Sequence, residues 1–372
     1  MAAVQLELVQ RRMRRFATVE TVPASPLYHH LAEKTAEDPE ICALLTVASE
    51  EFATPTLLLA AVHRTLQANP FHELTNYYPS LGGNYGVDGA TWPLFRSFVL
   101  ERADAIRNLV ATHTTQTNEV GRAALLYPAI ALAASRTKGP VGLLEVGCSA
   151  GLLLNLDRYG YRYQTEQAGQ LVAGPARAAV GLHCALELAP GATLPALPKK
   201  IAVGARIGLD RAPVDLTDED QYAWLEACIW ADQPDRSRRF AAAAGAQRGD
   251  RPELITGDAI DDLPAAAARI PAGLPVVVIT SLALLYLPTE RQLAFLAALS
   301  DLAARRTVSW VSHEEYASAL AHLLPDQTDL VRGKGEPSFG VLGLVRWEQG
   351  RPVARALART AWHGQRMTWL GS

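Results

Sequence analysis

The sequence predicts an α/β fold: a mostly parallel sheet closing with an antiparallel hairpin, preceded by an all-helical N-terminal region. Three observations predict it. Up to about residue 138 apolar positions recur at helical spacing, and no strand-like alternation interrupts them. After Lys138-Gly139-Pro140 short apolar runs alternate with helix-length segments, the pattern of βαβ units. Near the C-terminus two apolar runs flank Glu348-Gln349-Gly350, which reads as a hairpin turn.

In the N-terminal part, Val4, Leu6, Leu8 and Val9 open an amphipathic helix whose other face carries Arg11, Arg12, Arg14 and Arg15. A solvated face explains that basic run better than contact with an anionic surface. Ile41–Val47 follows, then Pro55–Leu66, with Thr54 as N-cap and Pro55 at the first helical position. Asn76 to Asn84 is a turn-rich, unusually aromatic loop. Trp92–Val110 and Gln116–Leu132 are the next two helices. Strands are expected at Val141–Val146, Ala205–Leu209, Glu253–Thr256, Val276–Thr280 and Thr307–Val311, with a hairpin of Gly340–Trp347 and Pro352–Trp362. These make a seven-stranded sheet. Tyr161 to Pro198 fits neither pattern and reads as an insertion, at about 160–200, with Tyr161–Tyr163 and Gly181–Glu187 as antiparallel strands.

The 372 residues suggest about two domains, divided here into 1–138 and 139–372. A balance of 35 basic against 38 acidic residues argues against a nucleic-acid binder, which carries a basic excess. Cys42, Cys148, Cys184 and Cys228 form no closely spaced pair, so neither a disulfide framework nor a cysteine zinc site is expected. His29-His30 lacks partners at metal-ligand spacing. No apolar run approaches a membrane span, and the arginines follow rather than precede the first apolar positions, unlike a signal peptide. A cytoplasmic protein without a membrane partner is the expectation.

Leu143-Leu144-Glu145-Val146-Gly147-Cys148-Ser149-Ala150-Gly151-Leu152 joins a hydrophobic strand, a small-residue turn and an apolar helix. Such a turn lets a nucleotide-type cofactor lie against the backbone at Gly147, Ser149 and Gly151 while the helix start offers N–H donors. Glu145 just before it suits a cationic or polyol-bearing ligand, and S-adenosylmethionine, with sulfonium, amino group and ribose, fits. The same residues match the nucleophile elbow of α/β-hydrolases, with Ser149 as nucleophile and His313 as its partner. That rival needs strands before the elbow and an oxyanion loop in the same sheet, whereas the strand here is the first and Leu81-Gly82-Gly83 lies among helices.

Downstream, the Ala205–Leu209 strand ends in Asp210, placed to accept from ribose hydroxyls. It stands 59 residues after Gly151, against about 20 in dinucleotide folds, a gap the insertion accounts for. Asp258, after the next strand, suits an adenine amino group, with the backbone at Ala259 meeting the ring. The alternative for either Asp is a turn or cap residue. Ser281 and Tyr286 follow the strand that faces the transferring methyl.

Gln116-Thr117-Asn118-Glu119-Val120-Gly121-Arg122, Tyr77-Tyr78-Pro79-Ser80-Leu81-Gly82-Gly83 and Glu145 to Leu152 with Leu156-Asp157-Arg158-Tyr159 together resemble a bacterial family of unknown function. Arg206 to Asp210 with Pro213 and Asp215, Trp224 to Trp230, and Gly257-Asp258-Ala259 extend the resemblance over nearly the whole chain. It implies a class I methyltransferase-like core behind a helical region. Two departures are Cys148, where a small residue such as Ala is expected, and Leu153, where Asn is common.

On a helix, Thr115, Asn118, Glu119 and Arg122 would share one face. The cluster reads equally as a capping and salt-bridge group or as a cofactor or substrate wall. With no Asn-Pro-Pro-Tyr type motif, a small-molecule or peptide acceptor is favoured. Glu119 and then Tyr286 are the expected catalytic residues, and Tyr77, Tyr78, Gln116, Asn118 and Arg122 the expected substrate walls. Packing is the plainer reading of the two tyrosines. His313-Glu314-Glu315, after a strand, reads either as the seat of a general base or, better, as a solvated loop. A non-catalytic S-adenosylmethionine-binding protein is the third reading.

Overall fold

The computed structural model describes residues 5–22, 24–193, 197–333 and 336–371. Val4, expected to open the first helix, and residues 194–196 of the expected insertion lie outside them. The helices are α1 (Leu6–Arg15), α2 (Pro26–Thr35), α3 (Pro39–Cys42), α4 (Pro55–Gln67), α5 (Thr91–Glu101), α6 (Ala103–Thr112), α7 (Ala123–Ala134), α8 (Glu219–Ala227), α9 (Pro234–Gln247), α10 (Leu263–Ala268) and α11 (Thr289–Ala303). The strands are β1 (Val141–Val146), β2 (Gly160–Thr165), β3 (Gly169–Ala173), β4 (Gly181–Leu188), β5 (Val203–Asp210), β6 (Glu253–Thr256), β7 (Val276–Ser281), β8 (Val308–Glu314), β9 (Gly340–Glu348), β10 (Arg351–Thr360) and β11 (Arg366–Trp369). The chain divides into two compact units, Met1–Thr117 with Asp215–Arg238, and Asn118–Val214 with Arg239–Ser372.

The first unit is helical. Ser25 and Thr54 cap α2 and α4 by accepting from the N–H groups of Tyr28 and Leu57, and each is followed by a proline at the first helical position. Leu31, Ile41, Leu57, Leu58, Phe95 and Phe98 are fully buried in one core. The single helix expected over Trp92–Val110 is two, because Arg102 leaves the helical region (φ −118°, ψ 22°) between α5 and α6. Residues 215–238 belong to this unit rather than to the sheet: Trp224 and Ala231 complete its core, and Ser25 Oγ donates to the Asp232 carboxylate at 2.7 Å. No helix among the described residues is long and apolar enough to cross a membrane.

The second unit is a mixed α/β structure on an eleven-stranded, mostly parallel sheet, in the order β3-β2-β4-β11-β10-β9-β8-β7-β1-β5-β6. Within the parallel run β8-β7-β1-β5-β6, β1 is the middle strand, buried at all six positions, as expected of a parallel strand covered on both faces. The expected strands all form, and Gln349 and Gly350, both at positive φ, make the two-residue turn between β9 and β10. The sheet is four strands wider than expected. β11 pairs with β10 on one side and β4 on the other, so β4, β2 and β3 of the expected insertion extend the sheet instead of standing apart. β2 and β4 are parallel, not antiparallel, because β3 folds back on β2 and turns the chain before β4. Residues 118–138 lie with this unit, since α7 packs on β4, β8 and β9.

Candidate functional site

The site is built where the strand order reverses. Reading outward from β1, β5 and β6 lie on one side and β7 and β8 on the other, the arrangement that opens a crevice beyond the carboxyl ends of β1 and β7. The turn after β1 bends through positive φ at Gly147 (77°), Ser149 (48°) and Gly151 (69°). At Gly147 a side chain would also strike Ala283 Cβ, 2.6 Å from the ideal Cβ position. Ser149, without a glycine's freedom, is held there because its N–H donates to Asp210 Oδ2 at 2.7 Å and its carbonyl accepts from Val214 N at 3.1 Å. Leu152–Arg158 is a seven-residue 3-10 helix, not the α-helix expected, so the turn offers no α-helix start. Cys148 fits because β5 carries Gly208 opposite it: a Cβ at Gly208 would lie 2.6 Å from the Cys148 sulfur. Burial, together with Glu145 and Asp210, pushes that thiol's pKa well up, so it is no nucleophile.

Glu145 is 2% exposed and its Oε2 has no hydrogen-bond partner among the described residues. Burial, and then Asp210, push its carboxyl well above the usual range, while Arg122 pulls the other way. Asp210 ends β5 and ties the turn down, accepting from Ser149 N and, at 2.9 Å, from Ala212 N. Asp258 serves its own turn, accepting from Ile260 N at 2.8 Å and pairing with Arg291. Its pKa is lowered by these hydrogen bonds and by Arg291, against the upward pull of partial burial. The Ala259 N–H meets no protein acceptor among the described residues.

Asn118 to Arg122 is not α-helical, which corrects the expected shared helix face. The Asn118 side chain is drawn to the Cys148 carbonyl, and Glu119 Oε1 caps a 3-10 turn by accepting from Gly121 N at 2.9 Å. The segment runs across the strand ends. Asn118 Nδ2 donates to the Cys148 carbonyl at 2.8 Å, leaving Asn118 Oδ1 buried without a partner among the described residues. Buried Arg122 donates from Nη1 to the Ser281 carbonyl at 3.3 Å and from Nε to the Trp362 carbonyl at 3.1 Å. Asn118, Glu119, Arg122, Glu145, Gly147, Ser149, Gly151, Asp210 and Ser281 therefore share one end of the sheet.

Tyr286 follows β7 in a 3-10 turn and is 78% exposed. Tyr77, Tyr78 and Gln116 belong to the first unit. There Tyr78 is fully buried and Tyr77 donates to Asp88 at 2.9 Å, so both rings are core packing.

Sequence reading missed the groups beneath the crevice. His313 and Glu314 are not a solvated loop but the buried end of β8. His313 Nδ1 meets Ser281 Oγ at 3.1 Å and Nε2 meets Thr360 Oγ1 at 2.9 Å. Burial, then Arg122 and His363, push its pKa down to about 3. Glu314 accepts from Ala283 N and Leu284 N at 3.0 and 3.3 Å, yet burial pushes it up to about 7. The signal was present in the unbroken run Val308 to Ser312, which carries the strand two residues further. His363 has no local signal; only the β10–β11 turn brings it to Glu119, at 3.8 Å.

Among the described residues no group of three or more His, Cys, Asp or Glu side chains is placed to hold a metal ion. A comparison with curated proteins finds no match. Residues 10–369 match the family described as "Uncharacterized protein conserved in bacteria (DUF2332)", and the chain belongs to that family.

Proposed function

We propose that the second unit is a class I methyltransferase-like domain that binds S-adenosylmethionine and methylates a small-molecule or peptide acceptor. The observation that carries this reading is Glu145 Oε2, a buried acceptor at the end of β1 with no donor among the described residues. An acceptor left unpaired in that position costs about 1–3 kcal/mol, which a hydrogen-bond-donating ligand recovers. An ammonium group also offsets the burial that opposes the Glu145 anion.

The residues present fit the cofactor unevenly. Glu145 and Asn118 Oδ1 suit its amino group, and Asp210 retains lone pairs for ribose hydroxyls beyond the two N–H groups it already accepts. The Ala259 N–H suits a ring nitrogen. Asp258 fits less fully as the adenine partner: its Oδ1 is taken by Arg291 and its own turn, which leaves Oδ2 for the amino group. When bound, the cofactor supplies a methyl carbon already activated by positive sulfur. The chain then has to align the acceptor and exclude water, and the Asn118–Arg122 segment is the wall placed to do so.

The hydrolase reading draws support from the positive φ of Ser149 but lacks its histidine, because both ring nitrogens of His313 are engaged by Ser281 and Thr360. Calorimetric titration of S-adenosylhomocysteine tests the proposal. Saturable binding supports it. No binding at about millimolar ligand, with ester hydrolysis lost in Ser149→Ala, replaces it with the hydrolase. Binding of S-adenosylmethionine without turnover on any acceptor supports a non-catalytic binding protein.

A further inference from the structure

We infer that Glu119 and His363 act as a carboxylate–imidazole pair in which His363 takes the acceptor's proton and Glu119 positions it; this rests on the methyl-transfer reading. The Glu119 side chain is 2% exposed and the His363 imidazole 39%, with Glu119 Oε2 3.8 Å from His363 Nδ1. That nitrogen is buried, so the side chain's exposure lies on its other atoms. The separation exceeds a hydrogen bond, as is common for catalytic pairs before substrate binds.

The pair is held by backbone rather than by chance of side-chain packing. A Cβ at Gly121 would lie 2.3 Å from the His363 carbonyl oxygen, and one at Gly364 (φ 90°) 2.0 Å from the Gly121 carbonyl oxygen. Arg122 closes the same contact by donating to the Trp362 carbonyl. The two turns interlock only because both positions are glycine. Through Asn118 on the Cys148 carbonyl and Arg122 on the Ser281 carbonyl, the interlocked turns sit at the strand ends that hold Glu145 and Asp210. Among the described residues, Arg122 and His313 face the pair, and Glu145, Asp210 and Glu314 lie at the same strand ends around Arg122.

A carboxylate facing Nδ1 keeps the proton there and leaves Nε2 as the basic atom. Such a base serves an acceptor whose nucleophilic atom carries a proton, a hydroxyl or an amine; a carboxylate acceptor needs none. As that atom's lone pair forms its bond to carbon, the electron pair of the breaking carbon–sulfur bond stays on sulfur. The acceptor's proton passes to His363 Nε2, where Glu119 balances the imidazolium, and then leaves to water.

The test follows the histidine Cε1–H resonances of the full chain through a pH titration in wild type and Glu119→Gln, with His363→Gln identifying the resonance. Loss of the carboxylate should lower the His363 midpoint by about one pH unit. In parallel, diethyl pyrocarbonate modification of His363 is read by mass spectrometry, and S-adenosylhomocysteine at saturation should slow it about fivefold or more by covering the site. An unmoved midpoint, or ligand bound by calorimetry without protection, overturns the pair alone. Absence of binding overturns the methyl-transfer reading and the pair's role with it. Should Glu119→Gln not fold, the protection measurement on wild type decides.

Discussion

Asn118 Nδ2 donates to the Cys148 carbonyl at 2.8 Å, tethering the segment that begins at Asn118 to the turn that follows β1. One side chain thereby fixes the wall of the crevice to its floor, while its own Oδ1 stays buried and unpartnered among the described residues.

Asn118→Ala removes the tether and the buried acceptor together. It should lower unfolding free energy by about 1 kcal/mol, the net worth of one such hydrogen bond, and weaken S-adenosylhomocysteine about tenfold. Urea denaturation and calorimetry read the two effects separately. Loss of stability with unchanged affinity would place Asn118 outside the binding site.

Gly121→Ala and Gly364→Ala should each cost at least about 2 kcal/mol, because the added methyl meets a carbonyl oxygen of the facing turn and, at Gly364, a positive φ as well. Gly89→Ala, with nothing within 4 Å of its Cβ position, is the control and should be near neutral. Equal effects at all three would deny that the two turns interlock.

His313 and Glu314 should give the stability–pH curve two opposed slopes. Glu314 is raised from 4.5 to about 7, so the folded state binds its proton more tightly and stability falls as pH rises from 4.5 through 7. Glu314→Gln should remove a loss of about 3 kcal/mol across that window. His313 is lowered from 6.5 to about 3, so its contribution is present above 6.5 and is lost as pH falls through 3. His313→Gln should flatten the acid limb. Denaturation midpoints measured from pH 3 to 8 check both signs.

Much of the fold was legible because its signals are local. β1 and β6 fall at the residues their apolar runs mark, and Thr54-Pro55 starts α4 where a cap followed by proline should. What was not legible depends on partners distant in sequence. β4 joins the sheet only because β11, 178 residues after it, offers an edge, and Trp224 joins the helical core rather than the sheet. The candidate site divides in the same way. Glu145, Ser149 and Asp210 follow from strand ends and small-residue turns. The pairing of Asp258 with Arg291 was not legible because that partner lies on α11. His313 and Glu314 were misread because burial, not residue type, decides whether a His-Glu pair at a strand end is solvated. Glu119 was singled out, but on a helix that its own capping side chain replaces with a turn.

The most direct measurement is calorimetric titration of S-adenosylhomocysteine into wild type and Glu145→Gln side by side. The variant keeps the size of the side chain and removes its ability to ionise against an ammonium group. Wild type should bind saturably, and Glu145→Gln should bind about tenfold or more weakly with an unchanged unfolding midpoint. Equal affinity in the two proteins, or no binding to wild type at about millimolar ligand, would contradict the assignment of the β1 strand end as the cofactor site.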